Sequence, residues 1–311
     1  MTHTAYISHP DCLLHDPGPT HPERPGRLHA IRHALLDEGL LEGLILLDAP
    51  PATDAQLGRV HSPAHVARIR ASAPAPGQQT MLDADTVMSK GSLTAALHAA
   101  GAGVAGVRAV MEGEADHVFC AVRPPGHHAE RERAMGFCLF NNIAVAAAHA
   151  LAHYGLARVA IADFDVHHGN GTEDIFREEP RVLYCSSFQH PFYPGTPLAE
   201  RDHLIHTPLA AGTDGATFRA AIERDWLPAL DRFQPELVLV SAGFDGHRDD
   251  HLASLHLAED DFAWVSRALV DVAARHAGGR LVSMLEGGYD FPSLGRSAAA
   301  HVRALCEVSR R

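Results

Sequence analysis

The chain has 311 residues, 46% hydrophobic and 21% charged, which suits a globular α/β domain with a sizeable buried core. A formal charge of −12 and an isoelectric point near 6.0 argue against nucleic acid or an anionic membrane surface as partner. Five scattered cysteines without a C-x-x-C pair, no basic-then-apolar leader and no apolar run of membrane-spanning length point to reduced thiols in a soluble, cytoplasmic protein.

In chain order, TAYIS (4–8) reads as a strand, and 24–40 as a helix with Leu28, Ile31, Leu35 and Leu36 on one face. A strand is expected over 42–49 and a helix over 54–70, broken by Pro63. Residues 71–86 are rich in Pro, Gly and Ala and read as a long loop, followed by a closely packed Ala/Gly helix over 92–114. Strands are then expected at 116–122, 158–164, 181–187, 236–242 and 280–286. Helices are expected at 141–155, 217–233, 259–277 and 293–307. Continuous Val/Ile/Leu runs alternating with helices imply a mostly parallel sheet covered on both faces, in one domain over 1–311.

Ligands of open parallel sheets bind beyond the carboxyl ends of the strands. Four polar or Gly-rich segments leave from that edge: AVRPPGHHAE, DFDVHHGNGT, SAGFDGH and LEGGYD. Asp163, Asp165 and His167 alternate, so an extended segment puts them on one face. Asp165 and His167 could reach one ion together with Asp245, and three protein ligands leave a position for water. The competing reading is a surface Asp/His cluster that caps a helix starting at Asn170, Gly171 and Thr172.

The motifs RPPGHHA, GFCLFNNIAVAA, DFDVHHGNGT, YPGT, SAGFD and EGGY, with HPERPGRL near the start, occur in this order. In them the chain resembles the zinc-dependent histone deacetylase family, which includes bacterial acetylpolyamine amidohydrolases and acetoin-utilisation proteins. The Asn of HHGNG resembles the class II-like bacterial branch. The resemblance implies an arginase/deacetylase-like fold with a central eight-stranded sheet, and hydrolysis of an acylated amine by a metal-activated water. It implies one catalytic Zn²⁺ on Asp165, His167 and Asp245. His127 and His128 match the catalytic histidine pair, with Asp163 and Asn170 as their partners, and Tyr289 matches the carbonyl-polarising tyrosine. Phe137 and Tyr193 match the tunnel walls, and Gly136, Gly287 and Gly288 let backbone pass near the substrate. Asp163, Ser186 and Ser187 match a structural potassium site.

The expected substrate is an acetylated lysine side chain or a related acetylated amine. Some polyamine-selective members carry Glu where this chain has Leu252, so Leu252 resembles the lysine-selective pattern. Asp83 and Asp85 are candidates for gripping the substrate, and Asp249 and Asp250 for attracting cations at the rim. Acetylpolyamine hydrolysis, a binuclear ureohydrolase and a non-catalytic metal-binding sensor or scaffold are the alternatives.

Overall fold

The computed structural model describes residues 3–307, so residues 1–2 and 308–311 of the expected unit lie outside it. Its strands are β1 (Thr4–Ser8), β2 (Ile45–Asp48), β3 (Thr80–Met81), β4 (Val87–Met88), β5 (His117–Cys120), β6 (Val159–Asp163), β7 (Val182–Gln189), β8 (Leu204–Leu209), β9 (Leu237–Ala242) and β10 (Leu281–Leu285). The helices are α1 (Gly26–Asp37), α2 (Asp54–Leu57), α3 (Pro63–Ala71), α4 (Ser92–Met111), α5 (Asn142–His153), α6 (Asn170–Phe176), α7 (Gly215–Phe233), α8 (Glu259–His276) and α9 (Phe291–Cys306).

Eight strands form one sheet in the order β2-β1-β5-β10-β9-β6-β7-β8, and all its pairs are parallel. Alternate residues of the central strands serve opposite faces. Val118 and Val282 meet Gly106 of α4, while Phe119 and Ser283 meet His301 of α9. A side chain on Gly103 or Gly106 would collide with Met284 or Val282, which is why the α4 sequence is Ala/Gly-rich. By length and composition α4 could cross a membrane, contrary to the expectation that no segment would; most of it is buried against α5 and the sheet.

Three other sequence readings are corrected. Pro63 does not break one helix but opens a second, α3, where its missing N–H costs nothing and Ser62 caps the helix. The 71–86 loop holds one strand of a small β3–β4 hairpin. The eighth strand, β8, was not read from its residues. LIHTPL is half-exposed at the sheet edge, where Pro208 is tolerated, so it lacks the apolar run of a central strand. All five cysteines are free.

Candidate active site

The four central strands β5, β10, β9 and β6 are neighbours, and their carboxyl ends carry the four motif segments. Beyond them lies a cavity of about 190 Å³ lined by Asp85, Pro125, His127, His128, Gly136, Phe137, His167, Phe192, Tyr193, Leu252 and Tyr289. Two larger cavities, of about 490 and 480 Å³, lie elsewhere; the second touches Asn170 and Glu130, but neither is lined by His127, His128, His167 or Tyr289.

Asp165, His167 and Asp245 come together at the cavity floor. His167 Nδ1 lies 3.1 Å from Asp165 Oδ1 and 3.2 Å from Asp245 Oδ2. Asp245 Oδ2 is buried with no hydrogen-bond partner, an arrangement that costs free energy unless a cation faces it. Burial, then the charge of Asp165, pushes the Asp245 carboxyl up to about 6. A side chain on Gly243 would strike Asp165, and one on Gly287 would strike both aspartates, so only glycine lets the backbone close this floor.

His127 and His128 sit side by side with ring centres 4.0 Å apart, and their partners differ. His127 Nδ1 lies 3.0 Å from Asp163 Oδ2, and His128 Nδ1 lies 2.8 Å from Asn170 Oδ1. Burial works against charge on both. At His127 the carboxylates of Asp163, Asp165 and Glu286 outweigh it and hold the imidazole well above its ordinary value. At His128 burial is reinforced by the neighbouring His127 and His167, and the imidazole is held well below. The pair therefore presents one charged and one neutral ring. Gly136, at φ +57°, packs against the His128 ring so closely that a Cβ would collide with it.

Phe137 stands edge-on to Tyr289 at 5.8 Å, and Tyr193 edge-on to His128 at 5.2 Å. Phe192, which the sequence reading did not single out, stacks on His167 at 5.3 Å. Asp85 lines the cavity, with its backbone carbonyl 3.1 Å from His21 Nε2. Asp83 does not line it and pairs with Arg133 at 3.2 Å. Asp250 is no rim acid: it is buried and accepts from the backbone N–H groups of Tyr289, Asp290 and Leu252. Asp249 is exposed and faces Arg296. Ser186 and Ser187 are buried on β7, with Ser186 opposite Asp163 in the register.

Several supports were missed. Glu286, fully buried, accepts from the N–H groups of Gly126 (2.7 Å) and His127 (3.1 Å) and from the Ser241 hydroxyl. Tyr184 donates to Asp163 Oδ2 at 2.9 Å, beside the His127 contact. Arg27 donates to the carbonyls of Gly288 (2.6 Å) and Glu286 and lies over the Tyr289 ring. Glu286 lies in EGGY and Arg27 in HPERPGRL, but their tasks emerge only from the groups they meet in the fold. Tyr184 sits in an ordinary apolar run and gave no signal.

The histone deacetylase domain description matches residues 21–305. This chain belongs to the histone deacetylase family. It is 39% identical to a histone deacetylase-like amidohydrolase of Pseudomonas aeruginosa, over 92% of this chain and 81% of that protein. It is 37% identical to the polyamine deacetylase HDAC10 of Mus musculus, over 97% of this chain and 48% of that protein. The solved HDA15 HD domain superposes with a TM-score of 0.92 at 34% identity, over 98% of this chain and 90% of that one. This family member is a hydrolase of acylated amines, a deacetylase, on the arginase/deacetylase fold.

Proposed function

We propose that this deacetylase is zinc-dependent and removes the acyl group from an acylated lysine side chain. The observation that carries the metal reading is the Asp165–His167–Asp245 cluster, with ligand atoms all within 4.8 Å of one another and the buried Asp245 Oδ2 without a hydrogen-bond partner. One nitrogen and two carboxylate oxygens on a floor closed by glycine backbone suit Zn²⁺. When bound, Zn²⁺ would lower the pKa of a water and polarise the substrate carbonyl.

The remaining steps belong to the chain. His128 gives its Nδ1–H to Asn170, which leaves Nε2 with a free lone pair on a neutral ring. Nε2 takes the proton of the attacking water and returns it to the departing amine. His127, held by Asp163, stays charged and stabilises negative charge on the substrate's carbonyl oxygen. Tyr289 donates its hydroxyl to the same oxygen. Phe137, Phe192 and Tyr193 wall an aliphatic chain and keep bulk water out.

Leu252 on the cavity wall supplies no charge for a second ammonium group, which favours lysine over a polyamine. The potassium expectation at Asp163, Ser186 and Ser187 rests on the resemblance: Asp163 already accepts from three donors, and the Ser186 hydroxyl is 3.4 Å from His168 Nδ1. Turnover of acetyl-lysine peptides against acetylputrescine and acetylspermidine tests the substrate reading. Peptide turnover well above that of both polyamines is expected; the reverse order would overturn it.

A further inference from the structure

We propose that His168, Glu173 and His206 form a second metal site, for a divalent first-row transition ion, beneath the substrate wall. His168 follows His167 in sequence but turns away from the cavity, toward Phe188 of β7 and His206 of β8. His168 Nε2 lies 2.9 Å from Glu173 Oε2, and His206 Nε2 lies 2.6 Å from the same oxygen. The two imidazole planes cross at 74°, so their nitrogens converge instead of stacking.

The cluster repeats the signature of the catalytic floor. There, two carboxylates and an imidazole crowd together, and Asp245 Oδ2 is buried without a hydrogen-bond partner. Here, two imidazoles and a carboxylate crowd together, and the enclosed His168 Nε2 faces Glu173 Oε2 at short range without an aligned hydrogen bond. An ion to the side of the pair, about 2 Å from the nitrogen and from the carboxylate oxygen, would satisfy a nitrogen so placed.

Two imidazole nitrogens and one carboxylate oxygen suit Zn²⁺, Co²⁺ or Ni²⁺ over a hard cation. The outer contacts have the form of a metal site's support: the N–H of Ala199 donates to Glu173 Oε1 at 2.8 Å, and Ser186 Oγ lies near His168 Nδ1. His206 is partly exposed and gives an ion a way in. The other His/Asp cluster, His9, Asp11 and His98, does not share the geometry. Its two rings lie parallel at 3.7 Å, so their lone pairs run side by side and do not meet.

Ligands on the loop before α6, on α6 and on β8 would be joined by one ion, and the Ala199 contact adds the segment after Tyr193. That segment continues from Phe192 and Tyr193, which stand in the cavity wall. An ion here would stiffen the wall without touching the substrate.

The test is Zn²⁺ uptake by the whole protein after stripping with a chelator, measured by equilibrium dialysis and atomic emission. Wild type is expected to take two equivalents. His206→Asn and Glu173→Gln should each take one, as should Asp245→Asn, while His206→Asn/Asp245→Asn takes none. Metal-free far-UV spectra of the variants are compared with metal-free wild type, so that lost uptake is not lost fold. A wild type that takes one equivalent, lost in Asp245→Asn and unchanged in His206→Asn, would show a hydrogen-bonded cluster and overturn the proposal. One equivalent lost in His206→Asn and kept in Asp245→Asn would instead uphold this site and overturn the zinc reading of the catalytic floor.

Discussion

His128 Nδ1 stands 2.8 Å from the side-chain oxygen of Asn170, and the amide nitrogen of Asn170 is held 2.8 Å from Glu130. Glu130 thus fixes which end of the amide meets the histidine. The histidine in turn is fixed in the tautomer whose Nε2 faces the substrate cavity.

Asn170→Ala removes that orientation. The expected result is a kcat lower by about a hundredfold, within the usual range for general acid–base catalysis, with little change in KM or bound zinc. Asn170→Asp keeps an acceptor in place and should retain more activity than Asn170→Ala. Equal activity in Asn170→Ala and wild type would remove Asn170 from the catalytic description.

Tyr289→Phe should fold and keep its metal but lose roughly a hundred- to a thousandfold in kcat, the usual cost of one oxyanion donor. The ring still packs between Phe137 and Arg27, so metal content and thermal midpoint should stay close to wild type. Near-normal turnover would mean another group polarises the carbonyl.

Chelation should abolish activity, and Zn²⁺ should restore it. Asp245→Ala should recover neither activity nor the catalytic equivalent of metal at the zinc concentration that restores wild type. Chelator-resistant turnover would sink the zinc dependence.

Glu286→Ala would leave the N–H groups of Gly126 and His127 and the Ser241 hydroxyl without their acceptor in a buried site. Each unsatisfied group costs about 1–3 kcal/mol, so a thermal midpoint lower by many degrees is expected. Glu286→Gln keeps one acceptor oxygen and should recover part of that loss. A midpoint for Glu286→Ala equal to wild type would show that the turn holds itself.

His301 bridges Ser266 and Ser283 in the core, and burial pushes its imidazole down to about 3. Above its ordinary value of 6.5 the ring is neutral both folded and unfolded, and its contribution is fully present. Below that, the unfolded chain takes up a proton that the folded one refuses. Stability then falls with pH, by up to about 1.4 kcal/mol per unit, until the folded ring titrates. The melting temperature of His301→Gln should therefore depend less on pH between 6.5 and 4 than that of wild type. Parallel curves would assign the acid sensitivity to other groups.

The sheet was legible where its strands are buried on both faces, because a continuous apolar run such as VAIAD has few other uses. It was not legible at β8, whose half-exposed edge residues follow no such rule. That Asp165, His167 and Asp245 would meet, and that His127 and His128 would share a pocket, was legible because they follow neighbouring strand ends; their roles came with the family resemblance. Asp250, Glu286 and Tyr184 were misread or passed over. Their work is to hold backbone or another side chain, and which group each would meet depends on contacts up to 160 positions apart in the chain.

The central order β5-β10-β9-β6 also sets when the site can exist. β10, which leads into Glu286 and Tyr289, enters between β5 and β9, although it is the last strand among the described residues. During synthesis, β5 and β9 must wait for that late strand to bridge them, while β6 can already pair with β9. The backbone of Gly287 that closes the floor of Asp165, His167 and Asp245 arrives at the same moment. A nascent chain halted before residue 280 would hold Asp165, His167 and Asp245 without the lid of their cage. Tight capture of an ion there would thus require β10, and chains that lack this strand would not compete for the ion.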